Sequence, residues 1–421
     1  MLVALAVLLG RFVRVVTRMR GGGSALPGWV VLKLVPDFVA RVMTRIQSDH
    51  AVPVAVVTGS NGKSTTTSMA VAILEAHGKR VFSNPSGGNL PQGIASAMLT
   101  DVTLGGTLSV DAVVLELDEA YGVQLADAVR PSHALLLNIQ VDQLNRFFEP
   151  ERVVEMVRRI AEPAHTVIVN DSDANTRSLG NQFAPTHDVV GFDVVDRVAP
   201  DGVYGANAGN DAAKDARTPL VSVTAVDGVN TTLAYAGEPL AVRLPSPGVH
   251  YAVDAAGALA LGARLLGDEF DSSVAASAIS DMKPVYGRGE TVEAFGSPLT
   301  IVMMKNHPSL QANLDALSET PESLYLAVDD GTPDPSWIYD IDLSRLDHVD
   351  VVSGSKAWQW ETRLAYAEIP TGVVEQDART AFEAFGTNTS PKRQKHRTAI
   401  VNYEQMMDLR RELGYMEIEG E

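Results

Sequence analysis

The 421-residue chain contains no cysteine. Disulfides, thiolate zinc sites and cysteine nucleophiles are therefore excluded, and the composition suits a reducing compartment such as the cytosol. Basic side chains are scarce: 34 against 52 acidic ones leave a formal charge of -18, which disfavours nucleic acid or another polyanion as the main partner. Long apolar runs are also missing. Met1 to Leu9 is almost wholly apolar, but a membrane span needs ~20 such residues, and a secretory signal needs positive charge before the run and a small-residue cleavage site after it. What is present, 45% hydrophobic and 20% charged residues, is ordinary for a globular protein. The length implies two or three domains, because single cores stop growing near ~250–300 residues.

Leu2, Leu5, Leu9, Phe12 and Val16 recur at helical spacing, with Arg11, Arg14 and Arg18 on another face. The spacing predicts an amphipathic helix whose apolar stripe packs on the body of the protein, with peripheral contact at an anionic membrane surface as the alternative. A Gly21-Gly22-Gly23 hinge follows, then a second helical stretch over Pro36 to Ile46.

The most informative stretch is Val54 to Thr67, in which an apolar run ends in the frame Gly59-Ser60-Asn61-Gly62-Lys63-Ser64-Thr65. Main-chain N–H groups of such a turn, together with the N-terminus of the helix that follows, converge on an anion, so the expected ligand is a nucleotide triphosphate. Lys63 is expected on its β/γ-phosphates and the Ser64 hydroxyl on Mg²⁺. The usual phosphate loop has a glycine five residues before Gly62, where Val57 stands, so this is a shorter frame.

Helical segments then alternate with apolar strands, which predicts an α/β protein with a parallel sheet whose ligands lie at the carboxyl ends of its strands. Polar clusters fall at those ends: the NPSGGNLPQG turn, Glu116-Leu117-Asp118-Glu119, Asn138 with Asp142-Gln143-Leu144-Asn145-Arg146, and Asn170-Asp171-Ser172-Asp173. Glu116 and Asp142 are the candidate further Mg²⁺ ligands. Val194 to Glu238 reads as a small β insertion or a mobile excursion, and Asp254 to Leu266 as an alanine-rich helix. In the PVYGRGE turn, Arg288 suits phosphate recognition or an exposed linker equally. From Leu299 a second, smaller α/β unit begins. It carries Lys305-Asn306-His307 and, around Trp337, the carboxylates Asp334, Asp340 and Asp342, which suit either orienting an imidazole or amine or a solvated loop. The expected division is a helical segment at 1–50, a central nucleotide-binding domain at 51–290 with its insertion at about 194–240, and a C-terminal domain at 291–421.

Together, GGGSALPG, the loop at Gly59 to Thr65, NPSGGNLPQG, LELDEA, NIQVDQLNRF, VNDSDAN, PVYGRGE, MMKN, DPSWIYDID, VVSGSKA and NYEQMMDLRREL resemble the Mur ligase superfamily nearly from end to end. DQLNRF, SWIYDID and VVSGSKA point to its MurT-like branch. The resemblance implies an ATP- and Mg²⁺-dependent carbon–nitrogen ligase that amidates the D-glutamate α-carboxylate of the lipid II stem peptide through an acyl phosphate. It implies work at the inner face of the cell membrane, with ammonia from a separate GatD-type glutaminase whose Cys-His pair is completed by an aspartate of this chain, for which Asp340 is the first candidate and Asp334 the second. Asn138, at the end of its strand, and Arg288 are the further candidate nucleotide contacts. The zinc ribbon of many MurT-like chains needs four cysteines, so no zinc is expected here. A Mur-type amino acid ligase and a nucleotide-binding scaffold are the competing readings.

Overall fold

Val54–Thr58 (β1) has four β-branched residues in five and is buried at every position. Val54 and Val56 enter one core while Ala55 and Val57 enter another, so the strand is covered on both faces, as the middle of a parallel sheet requires. The computed structural model describes residues 2–19, 25–84, 88, 90–140, 150–195, 198, 217–283, 288–317, 319–329, 336–387 and 396–414.

Three helices precede β1: α1 (Leu2–Met19), α2 (Leu26–Leu34) and α3 (Phe38–His50). After it come α4 (Lys63–Ala76), β2 (Val81–Ser83), α5 (Pro91–Asp101), β3 (Ala112–Glu116), α6 (Glu119–Val129), β4 (His133–Leu136), α7 (Pro150–Ala161), β5 (Thr166–Asn170), α8 (Ala174–Phe183) and β6 (Asp188–Val194). The predicted insertion supplies β7 (Val221–Asp227), β8 (Asn230–Tyr235) and β9 (Glu238–Arg243). Its described strands are no separate excursion. They extend one nine-stranded sheet of order β2-β3-β1-β4-β5-β6-β7-β8-β9, parallel up to β7 and antiparallel beyond, and Val221, Val223 and Leu233 are buried in the shared core.

Helix α9 (Val249–Leu266) lies against α4, and its small residues permit close approach: a Cβ at Gly262 would come within 2.8 Å of Ile73 Cγ2. It starts five residues earlier than expected, directly after Gly248. Helix α10 (Ser272–Ser280) completes this layer.

The second unit comprises β10 (Arg288–Ala294), β11 (Ser297–Met303), α11 (His307–Asp315), β12 (Ser323–Ala327), β13 (Val349–Ser353), α12 (Ala357–Tyr366), β14 (Thr371–Glu375), α13 (Ala378–Thr387), β15 (Arg397–Val401) and α14 (Tyr403–Glu412). Its six-stranded sheet runs β10-β11-β15-β12-β13-β14, with β10 antiparallel to β11 and the other pairs parallel. Sequence reasoning misses β10, β14 and β15. The five residues each of β14 and β15 show too little periodicity, and Arg288, expected in a turn, opens the seven-residue β10 instead.

The N-terminal helix corrects one expectation. It forms, but Val3, Ala6 and Val7 are what it buries, whereas Leu2, Leu5 and Phe12 of the predicted packing stripe are more than half exposed. Gly10 explains the choice: a Cβ there would fall 2.6 Å from both Leu99 Cδ1 and Val31 Cγ2. Small residues let the helix lie close on α2 and α5, and the bulky stripe is left outside.

Candidate nucleotide-binding site

β1 leads into residues 59–62, and α4 starts at Lys63. Gly62 has φ +86°, and a Cβ there would lie 2.1 Å from Oδ1 of Asp254, a buried residue of α9. Backbone conformation and space both demand glycine. Gly59, at φ +143°, passes so close to the end of β4 that a Cβ would come within 2.9 Å of the Asn138 carbonyl oxygen. No side chain caps α4 at Gly62. The first four amides of an α-helix have no intrahelical carbonyl and carry the positive end of its dipole, so an anion is the fitting partner here.

The loop is held from β4. Asn61 donates its backbone N–H to Asn138 Oδ1 at 2.9 Å and accepts at its carbonyl from Asn138 Nδ2 at 3.0 Å, while the Ser60 N–H donates to the Asn138 carbonyl at 2.9 Å. Gln140 adds its N–H to Ser60 Oγ (3.0 Å) and accepts from Asn61 Nδ2 at 2.7 Å. The Ser60 and Asn61 amides thus serve the frame of the loop, and the anion-facing amides are those further on, at the start of α4.

A supporting layer fixes Asn138. Asn170 Nδ2 donates to the Leu137 carbonyl (2.9 Å), Asn175 Nδ2 to the Ile139 carbonyl (2.8 Å), and the Ile139 N–H to Asp173 Oδ2 (3.3 Å). Asp173 is fully buried. Desolvation pushes its pKa up to about 6, against the lowering effect of the N–H groups of Thr176, Ile139 and Asn175.

Lys63 is buried, with its ammonium donating to the Gly59 carbonyl, to the Ser60 carbonyl at 3.4 Å and to Glu119 Oε1 at 3.2 Å. Ser64 Oγ donates to Glu116 Oε2 at 2.7 Å. Asn84 pins the Glu116 backbone, accepting its N–H at 2.9 Å and donating to its carbonyl at 3.0 Å. A hydroxyl beside a buried carboxylate is a pair of hard oxygen donors of the kind Mg²⁺ takes; that ion commonly uses one or two protein oxygens and completes its shell with water and phosphate. Among the described residues no group of three His, Cys, Asp or Glu side chains is arranged to hold a metal. Asp142 lies outside the described residues, as does Asp334.

Two residues reach the loop from the other unit. Lys305 Nζ donates to the Ser60 carbonyl at 3.2 Å, and Asn306 Nδ2 to Asn61 Oδ1 at 3.4 Å, with Asn306 also capping α11 through Ser309. The sequence marks Lys305-Asn306-His307 as chemically notable without tying it to the loop. Glu119, Gln140 and Asp254 escape sequence reasoning as loop partners, since their sequence separation gives no local signal.

The structure brings Gly59 to Thr65, Glu116 and Asn138 together. Arg288 opens β10, and nothing is described of its side chain. Asp340 is exposed at the end of a single 3-10 turn, Ser336–Asp340. Arg363 of α12 holds that turn through the carbonyls of Ile338 (3.0 Å) and Ile341 (2.7 Å), and Trp337 packs edge-on against Trp360 with ring centroids 6.5 Å apart.

Two family models match the chain: the Mur ligase middle domain over residues 57–262 and the MurT ligase C-terminal domain over 303–406. A relative from Streptococcus pneumoniae, the lipid II isoglutaminyl synthase (glutamine-hydrolyzing) subunit MurT, is 25% identical, with 98% of this chain and 97% of that one aligned. Among solved structures, a crystal structure of MurF from Acinetobacter baumannii shares the fold at a TM-score of 0.69 and 18% identity, covering 90% of this chain and 80% of that one. MurF ligase from Thermotoga maritima in complex with ADP gives a TM-score of 0.66 at 18% identity, over 90% and 83% of the two chains.

Proposed function

The chain belongs to the MurT-like branch of the Mur ligase superfamily, and from that premise we propose that it is the synthetase subunit that converts the D-glutamate α-carboxylate of the lipid II stem peptide to an amide, using ATP and ammonia. The observation that carries the proposal is the convergence of Lys63, the Ser64–Glu116 pair and Lys305 on one glycine-framed loop.

A carboxylate cannot expel oxide, so its oxygen must first become a leaving group. Transfer of the terminal phosphoryl of ATP to a carboxylate oxygen releases ADP and forms an acyl phosphate. Ammonia attacks the carbonyl carbon, phosphate departs, and loss of a proton leaves the amide. In this scheme the main-chain amides at the start of α4 orient the triphosphate, Lys63 and Lys305 offset charge on the phosphoryl group in flight, and Arg288 is a further phosphate contact. Ser64 and Glu116, with Asp142 as a third proposed ligand, would hold a Mg²⁺, which would supply neutralisation of phosphate charge.

In this proposal ammonia comes from a separate GatD-type glutaminase, and the absence of cysteine supports that division of labour, because this chain cannot hydrolyse glutamine through a thiol. Asp340 is assigned the task of orienting the histidine of that partner. Its exposure on a turn clamped by Arg363 supports this, because such a residue must protrude while keeping its place.

The test is mass spectrometry of lipid II incubated with the purified chain, ATP and glutamine, with and without a class I glutaminase subunit. Exchange of a hydroxyl for an amine, dependent on all components, is the expected result, and heavy oxygen placed in the α-carboxylate should appear in inorganic phosphate. Gain of a whole amino acid residue would indicate an amino acid ligase, and no change a nucleotide-binding scaffold.

A further inference from the structure

Helix α1 presents its bulk to solvent. Leu2, Leu5, Leu8, Phe12 and Val15 are each more than half exposed, while the side chains it buries are the smaller Val3, Ala6 and Val7. On the neighbouring α2, Trp29 is 52% exposed, with the Lys33 ammonium 5.5 Å from its ring centroid. Arg11 lies along the flank, donating to the carbonyls of Leu99 (2.8 Å) and Val102 (2.7 Å) at the end of α5, and Arg14 donates to Thr100 Oγ1. An outward leucine and phenylalanine stripe with arginines beside it and an aromatic at its edge is the make-up of a helix that lies in a lipid–water interface.

Charge selects among the possible occupants. Residues 1–50 hold seven Arg and Lys against two Asp, and no carboxylate precedes Asp37; this segment carries +5 while the rest of the chain carries -23. Docking two copies through this face would set like charges together. An anionic surface is attracted by the helical layer and repelled by the remainder, which fixes a single orientation. No helix among the described residues is long and apolar enough to cross a membrane, so the contact is peripheral.

We propose that the outer face of α1, extended by Trp29 of α2, is a peripheral anchor that seats the protein on an anionic lipid surface. The anchor is tied to the sheet that carries the loop through α5. The Gly28 N–H of α2 donates to Ser96 Oγ of α5 at 2.7 Å, and α5 follows, in sequence, Asn84, which pins Glu116. If the substrate is lipid-linked, as the functional proposal holds, the anchor brings the catalytic edge to it. Lipid binding itself is independent of that proposal.

The experiment is flotation of the full chain with vesicles of phosphatidylglycerol and phosphatidylcholine mixed in varied ratio, without ATP or substrate. Bound protein should rise with the phosphatidylglycerol fraction and fall with salt. The double variant Leu5→Glu/Phe12→Glu, altered at exposed positions, should bind at least about tenfold less while keeping its unfolding temperature. Binding brominated vesicles should quench tryptophan fluorescence, and Trp29→Phe should remove most of that quenching. Equal binding to neutral and anionic vesicles, or none to either, overturns the anchor. So does a wild-type dimer that the double variant converts to monomer without any vesicle binding, since the face would then be a contact between copies. Because flotation uses no nucleotide, its failure leaves amidation standing, and failure of amidation leaves the anchor standing.

Discussion

At the carboxyl edge of the nine-stranded sheet, Lys63, Ser64, Glu116 and Glu119 are buried and bonded to one another. The six-stranded sheet carries its chemistry differently: Asp340 is exposed on one turn, and Lys305 reaches out of its own unit to the Ser60 carbonyl. The first arrangement suits work on a ligand that must be shielded and held at several points. The second suits work across a boundary, with Lys305 directed toward the other unit and Asp340, in the function proposed, toward a partner chain. Variants of the first should therefore disturb folding and chemistry together, and variants of the second chemistry alone.

Lys63→Ala should show the largest effect. We expect ATP turnover to fall at least about a thousandfold, and stability by roughly 3 kcal/mol because Glu119 keeps a buried charge without its lysine. Adding Glu119→Gln should restore most of the stability and none of the turnover, as thermal unfolding and phosphate release would show. Gly62→Ala should come next. It forces a non-glycine residue into the left-handed region at a cost of about 1–3 kcal/mol and drives a methyl into Asp254. Asp254→Ala should relieve the crowding but not the backbone strain, which calorimetric titration of nucleotide would register as partial recovery.

For the six-stranded unit, Asp340→Asn should lower glutamine-dependent amidation about a hundredfold while sparing ATP turnover and stability, with free ammonium restoring the product. Failure of ammonium to rescue would place Asp340 in a different role. Lys305→Gln should slow turnover about tenfold at an unchanged unfolding temperature. A marked loss of stability in either variant would erase the contrast between the two units.

The smallest expected effect concerns pH. Burial, then the charges of Arg264 and His165, push His133 down to about 4 from an ordinary 6.5, so the stability it contributes is present above 6.5 and is lost as pH falls through 4. Asp173, raised by burial from 3.8 to about 6, acts in the opposite sense: its contribution is present below 3.8 and is lost as pH rises through 6. The two act in opposite directions over much the same pH range. Denaturant unfolding of His133→Asn should therefore show a deficit against wild type that shrinks by about 1–2 kcal/mol between pH 7 and pH 4.

The same contrast governs which features of the molecule are legible in its sequence. Gly59, Gly62, Lys63 and Ser64 fall within six residues, in a pattern whose spacing is itself the chemistry, and Glu116 and Asn138 are within reach because a parallel sheet collects its strand ends. Glu119, Gln140 and Lys305 touch the loop from 56 to 245 residues away, and Asp254 crowds it from α9; no local period encodes such contacts. The outward stripe of α1 defeats the usual pattern for a physical reason. A run of leucines at helical spacing normally marks the buried face, but Gly10 and Ala6 allow the opposite face to pack more closely. Strands β14 and β15, five residues each, become visible only through their neighbours in the sheet.

The most direct test of the central claim is a structure of the protein with a non-hydrolysable ATP analogue and Mg²⁺. Phosphate oxygens within hydrogen-bond distance of the main-chain amides at the start of α4 and of the Lys63 ammonium, with the metal beside Ser64 and Glu116, are the predicted result. Nucleotide bound elsewhere, with residues 59–65 making no contact to it, would contradict the assignment of this loop as the seat of the reaction.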